Sequence, residues 1–446
     1  MNYLGIDVGT TSMKCTAVNE SGIFFTKSIG YPIKYGNYGT AEQDPWNWYY
    51  SFKKIIQEIN FPVDGIGITG QMHSLVVANG GQPLMDSMLW SDTRSAGFAH
   101  YLVKKFGISD LVRETGNYPL SNFTLLRLLW IRKNLPEIYR KIDMAFVAKD
   151  WLKYMLTGFH GTDVSDASGT YLFNVRKRKW SSMLFESLKI DENLFGHSNE
   201  SMEVQAEYKG IPVIAGAGDQ EAAAFAAGIG SKDCAMSLGT SGVVFSTIPE
   251  YRLPENRSIH LFCDAEANKW HWMGVTQSAT SSLDWFMNTF HIDYGRLRNI
   301  GKSTDIIFMP YLNGERAPIM KPDSRSMFYG ISSGTSIDEM LLSIMEGVAF
   351  SLKHVYDSMG LKKNRIILTG GGTKIKIWNQ IIADVFNMEV DIPEVSGSSL
   401  GAALLASGGK LKVYSESQKY FPVNHSSYME KYEKYKKIAK NYGKLF

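Results

Sequence analysis

One short unit occurs twice in this chain, and that repetition restricts its fold more than any other feature. Near the start, the apolar run Tyr3-Leu4-Gly5-Ile6-Asp7-Val8 ends in a Gly9-Thr10-Thr11 turn and returns through Ser12 to Val18 as a second strand. The same grammar recurs at Cys234 to Leu238, Gly239-Thr240-Ser241 and Gly242 to Ser246. Alternating or short apolar runs on either side of a small polar turn predict a β-hairpin in both places. Internal repetition of such a unit points to two related domains. The first turn also suits an anion. Gly9 lets backbone N–H groups approach closely, Thr10, Thr11 and Ser12 add hydroxyls, Lys14 adds a charge, and Asp7 is placed to hold a hydrated magnesium ion. Taken alone, either copy is equally an ordinary polar turn.

A chain of 446 residues is too long for a single core, so the expected division is 1–228 and 229–446. Lys and Arg number 47 against 44 Asp and Glu, and with no basic stripe the balance argues against nucleic acid as a partner. The basic stretch from Lys431 to Lys444 reads as a solvated surface helix. Three scattered cysteines, Cys15, Cys234 and Cys263, make neither a disulfide framework nor a paired zinc site, which fits a reducing, cytoplasmic setting. No run of eighteen apolar residues could span a membrane, and the first residues carry no leader pattern. Neither a Walker P-loop nor a dinucleotide-binding Gly-x-Gly-x-x-Gly motif follows a strand.

In chain order, Asp44 and Pro45 open a helix to Ile59, and Gly65 to Gly70 is a buried strand delivering Gln71-Met72-His73-Ser74 to its C-terminal edge, where ligands of open α/β sheets sit. This cluster is the expected wall of a small polyol pocket, with His73 hydrogen-bonding a hydroxyl; a satisfied histidine in a turn is the alternative. Trp90, Asp92 and Arg94 add an aromatic face and two charges, although Asp92 is equally a helix cap. Asp166 and Ser168 either line the substrate side or belong to a capped turn.

The stretch Ile211 to Gly218 is a strand ending in a glycine-rich turn, and a helix follows, so Asp219 falls at a helix N-terminus whose dipole favours the ionised carboxylate. Transfer of a phosphoryl group to a hydroxyl needs one base on the nucleophile, with donors and a metal for the charge on the phosphate. A plain N-cap is the competing reading of Asp219. Ile366 to Gly372 is a strand entering a bare glycine turn that admits a flat ring or serves close packing, and Ser396 to Ala406 starts a small-residue helix best explained by packing.

Paired Gly-Thr hairpins resemble the superfamily of sugar kinases, actin and heat-shock chaperone ATPases, in which two ribonuclease-H-like α/β domains clamp a nucleotide in the cleft between them. More specifically, Asp7-x-Gly-Thr-Thr-Ser, Gln71-Met72-His73, Ser165-Asp166-Ala167-Ser168-Gly169-Thr170, Gly218-Asp219-Gln220, Ser237-Leu238-Gly239-Thr240-Ser241-Gly242, Gly314-Glu315-Arg316-Ala317-Pro318 and Gly370-Gly371-Gly372-Thr373-Lys374 occur in the order of FGGY-type carbohydrate kinases, most like the xylulokinase group. The resemblance implies ATP and Mg2+ as cofactors and a small sugar as acceptor. It makes Asp219 the catalytic base, and Asp7 and Asp219 the metal-facing carboxylates. Thr10, Thr11, Lys14, Gly239 and Thr240 then hold phosphates, Gly371 and Gly372 face the adenosine, and Gln71, Met72, His73, Trp90 and Asp219 face the sugar. A homodimer is a further family-level expectation. Ser74, Lys321 and Ser326 depart from the family pattern, so the identity of the sugar is the part left open: another ketose or a polyol such as glycerol are alternatives, as is an ATP-binding sensor without turnover.

Overall fold

A computed structural model of the chain describes residues 1–301, 304–413 and 416–442; the end of the basic C-terminal stretch, 443–446, lies outside the described residues. Strands β1 (Tyr3–Val8) and β2 (Ser12–Asn19) form the first hairpin, with Asp7 opposite Lys14, and β3 (Gly22–Gly30) extends it antiparallel. On its other side β1 runs parallel to β4 (Gly65–Gly70), which is buried throughout. β5 (Ile211–Ile214) and the two-residue β6 (Ala217–Gly218) both lie parallel to β4. A strand covered on both faces has no reason to alternate, which is why Gly65 to Gly70 reads as small and apolar apart from Thr69.

The second sheet repeats this plan. β7 (Asp233–Leu238) and β8 (Gly242–Ile248) form the second hairpin, β9 (His260–Cys263) and β10 (Trp270–Thr276) extend it antiparallel, and β11 (Arg365–Thr369) and β12 (Glu389–Pro393) continue parallel from β7. In both sheets the hairpin's first strand is central, with its antiparallel partner on one side and a parallel strand on the other. Asp7 pairs in register with Thr69, and Ser237 pairs in register with Thr369. One hairpin therefore ends in a carboxylate where the other has a hydroxyl.

Helix α1 (Asp219–Ala226) follows β6, α2 (Thr280–Thr289) follows β10, and α3 (Ile337–Met359) packs beneath the second sheet behind a Ser336–Glu339 capping box. Helix α4 (Ser398–Ala406) crosses back to the first sheet, where it packs on β1, β2, β4 and α1. The approach is backbone to backbone: a Cβ on Gly5 would lie 1.8 Å from the Ser399 carbonyl oxygen, and one on Gly67 would lie 2.0 Å from that of Ala402. The small residues of this helix are thus set by packing, as the sequence suggests.

The two halves also share apolar core, since Val164, Ala167, Phe173 and Val175 pack into the same cluster as the strands of the second sheet. Asn117 stitches the seam, donating from Nδ2 to the Leu261 carbonyl at 2.8 Å and accepting on Oδ1 from the Leu261 N–H at 3.2 Å. All three cysteines are free and buried. Among the described residues no helix is long and apolar enough to cross a membrane.

Candidate active site

Three parallel strands end level with one another. Val8, Gly70 and Gly218 are in register, as are Asp7, Thr69 and Ala217. Neighbouring strands lie about 4.8 Å apart, so the turn after β1 and the head of α1 open onto one edge. Asp219 is the first residue of α1, as the sequence predicts. Met72 lies beside it: a Cβ built on Gly218 would come within 2.9 Å of the Met72 Cγ.

Burial pushes the Asp219 carboxyl up to about 7, and the negative charge of Asp7 adds to the rise. The backbone N–H groups at the helix start do favour the ionised form, as expected, but burial and Asp7 outweigh them. Asp7 itself is raised by burial to about 6, against the opposing pull of its hydrogen bond from Ser398 and of Lys14 across the hairpin. Its second oxygen, Oδ1, is buried with no hydrogen-bond partner. Ser398 comes from the head of α4, 391 residues along the chain, and no local pattern in the sequence announces this contact.

A cavity of about 270 Å³ joins the two halves here. Asp219 and Gln220 line it from α1, Ser237, Thr369 and Gly370 from the second sheet, and Ser398 from α4. A larger cavity of about 590 Å³, toward the C-terminal end of α1, includes Asp264 and Arg365. Those groups are already engaged, Asp264 by Thr247 and Arg365 by Asp233 and Asp391.

The hairpin turns are braced from outside. Trp90 Nε1 donates to Thr10 Oγ1 at 3.1 Å, so that hydroxyl keeps its own proton for another acceptor. Tyr31 donates to the Gly9 carbonyl at 2.6 Å and Gln43 to that of Thr10 at 3.1 Å. Thr11 and Lys14 are exposed. In the second hairpin the carbonyls of Gly239 and Thr240 accept from the N–H groups of Thr280 at 2.9 Å and Ala279 at 2.8 Å, at the head of α2. Of the two glycines assigned to adenosine, Gly371 is exposed with open space around it. Gly372 is buried, and a Cβ there would meet the Leu238 side chain at 2.5 Å, so close packing on the hairpin accounts for it.

Among the candidate sugar residues the structure separates wall from scaffold. His73 is buried, its Nδ1 lies 2.7 Å from the Gly169 carbonyl, and its ring is pushed down to about 3, chiefly by burial. A carbonyl only accepts, so Nδ1 carries the proton and Nε2 is an acceptor. Gln71 is turned inward: its amide donates to Gly9 and Gln43 at 3.5 and 3.4 Å and accepts from Ser74 at 3.1 Å. Ser74, the departure from the family pattern, also accepts from the Trp90 N–H at 3.0 Å, which ties the two clusters together. Asp92 accepts from the Ala41 N–H at 3.0 Å and pairs with Arg94. The helix after it starts at Gly97 with no side-chain cap, so Asp92 is not a helix cap. Asp166 and Ser168 are wholly buried in a short helix capped by Asp163. Asp166 and Ser168 thus sit in the capped turn that the sequence offers.

Residues 2–226 match the family model for the N-terminal domain of the FGGY family of carbohydrate kinases, and residues 234–408 match its C-terminal domain. The chain belongs to the FGGY family of carbohydrate kinases. This kinase is 31% identical over 439 residues to a xylulose kinase from Escherichia coli, covering 91% of this chain and 89% of that relative. It is 31% identical over 477 residues to one from Staphylococcus xylosus, covering 98% and 99%. A solved structure of a xyloylose kinase from Brucella ovis has the same fold, with a TM-score of 0.94 and 27% identity over 100% of both chains.

Proposed function

We propose that this kinase transfers the γ-phosphoryl group of ATP to a primary hydroxyl of a small ketose, D-xylulose at O5, with residues 1–228 holding the acceptor and 229–446 the nucleotide. The observation that carries the reading is Asp219, raised to about 7 beside Asp7 in a cavity whose far wall is the strand end of the second Gly-Thr hairpin. The names of the xylulose kinase relatives support the choice of sugar.

In this mechanism the sugar hydroxyl lies between Met72 and Asp219, with His73 Nε2 accepting a neighbouring O–H. Asp219 takes the hydroxyl proton as the oxygen bonds to phosphorus and ADP leaves; a base titrating near neutrality is suited to that step. The hydroxyls and N–H groups of Thr10, Thr11, Gly239 and Thr240, with Lys14, hold phosphate oxygens, and Gly371 lies against the adenosine. A magnesium ion fits the carboxylates of Asp7 and Asp219, since Asp7 Oδ1 is a buried hard donor without a partner. Held by these carboxylates, Mg2+ would supply positive charge to neutralise the phosphates. Closure of the cleft keeps water, the competing nucleophile, away.

The test is a coupled assay of ADP release with D-xylulose, D-ribulose, D-fructose and glycerol. D-xylulose is expected to give the highest kcat/KM, at least tenfold above the others. A higher value for another acceptor moves the substrate assignment, and tight ATP binding without turnover on any of them supports a sensor.

A further inference from the structure

We propose that Thr69 and Ser165 are positioning residues for the base, holding between them the single peptide unit that leads into Asp219. The inference rests on the reading of Asp219 as base. The peptide joins Ala217 to Gly218, and each of its polar ends is gripped by a different side chain. Its carbonyl accepts from Thr69 Oγ1 at 2.8 Å, and its N–H donates to Ser165 Oγ at 2.9 Å. Thr69, Ser165, Ala217 and Gly218 are all buried.

This place in the chain needs such a grip. β6 is two residues long and among the described residues meets the sheet only through β4, and Gly218 has no side chain to hold its own backbone. Without further contacts, the direction in which α1 presents its first residue would be loosely set. A base must be held within about 0.5 Å of its working position, and displacement by about 1 Å can cost 100-fold in rate.

The two hydroxyls are themselves fixed. Ser165 Oγ donates to Asp163 Oδ2 at 2.5 Å, which commits its proton and leaves it an acceptor for the Gly218 N–H. Asp163 is held in turn by Ser201 Oγ at 2.8 Å and by an ion pair with Lys149 at 3.0 Å. Thr69 is β-branched and stiff at χ1, and it is the one hydroxyl in the strand Gly65 to Gly70. A hydroxyl buried there is costly unless bonded, and the Ala217 carbonyl is its partner. Neither side chain lines the cavity that contains Asp219, so both act through the backbone.

The experiment compares Thr69→Val, Thr69→Ser, Ser165→Ala and Asp219→Asn in the ADP-release assay, with nucleotide affinity and thermal melting measured alongside. Thr69→Val and Ser165→Ala are each expected to lower kcat between 10- and 100-fold, with KM for sugar and ATP within about threefold of the parent. Thr69→Ser keeps the hydroxyl and is expected to restore most of the rate. Should one substitution prevent folding, the other carries the same expectation. Parental kcat in both hydroxyl-free variants, or a Thr69→Ser enzyme as slow as Thr69→Val, overturns the positioning role. If Asp219→Asn keeps full turnover, the assignment of the base falls first, and the positioning inference falls with it.

Discussion

Two buried carboxylates at the mouth of a cleft are a costly arrangement for a fold, and here burial pushes both Asp7 and Asp219 toward neutrality, with the charge of Asp7 raising Asp219 further. A cation between them would restore both to the ionised form. Asp219→Ala is expected to lower sugar-dependent ADP release by at least 1,000-fold while nucleotide affinity, read by calorimetry, changes little. Undiminished release would remove the base from the mechanism. Asp219 was legible in the sequence because a strand, a glycine turn and a helix place it without help from distant residues. The placements of Gln71 and Gly372 were not, because residue type alone does not say which way an amide turns or what a glycine lies against. Ser398 was hidden for a simpler reason: it meets Asp7 only through tertiary packing.

Among the elements, the paired hairpins followed from local signals, since turn chemistry acts over three or four residues. The destination of α4 did not, because a small-residue helix packs closely against any bare surface. In the fold that surface is the first sheet and α1, where a Cβ on Gly401 would lie 1.7 Å from the Ala222 carbonyl oxygen. Backbone on both sides leaves nothing to yield, so Gly401→Ala is expected to destabilise the protein by about 3 kcal/mol. Gly97, at the start of a helix with nothing within 4 Å, is the control, and Gly97→Ala is expected to be neutral or slightly stabilising. Urea midpoints compare them; equal midpoints for the two variants would show that α4 is not held against α1 in this way.

At the scale of the molecule, the seam between the halves holds a group that acid is expected to charge. His260 is buried with Nδ1 3.0 Å from Asn117 Oδ1, and burial, with Arg316 adding, pushes it down to about 4. The unfolded chain takes up this proton near pH 6.5 and the folded one only near 4, so stability present above pH 6.5 is lost as the pH falls through that window. The loss for one such group is at most about 3 kcal/mol. His260→Gln keeps a hydrogen-bonding side chain without the titration, and is expected to lose less stability than the parent between pH 7.5 and 4.5, measured by urea unfolding. Parallel pH profiles would exclude His260 as a source of the acid loss.

Because α4 covers β1, β2 and β4, the sheet begun at Tyr3 waits for a helix that starts at Ser398. Until α4 is made the nascent chain shows an uncovered sheet face, and a release at residue 228 would leave that face bare for good. Vectorial folding of the kind that completes one domain before the next begins does not suit this topology.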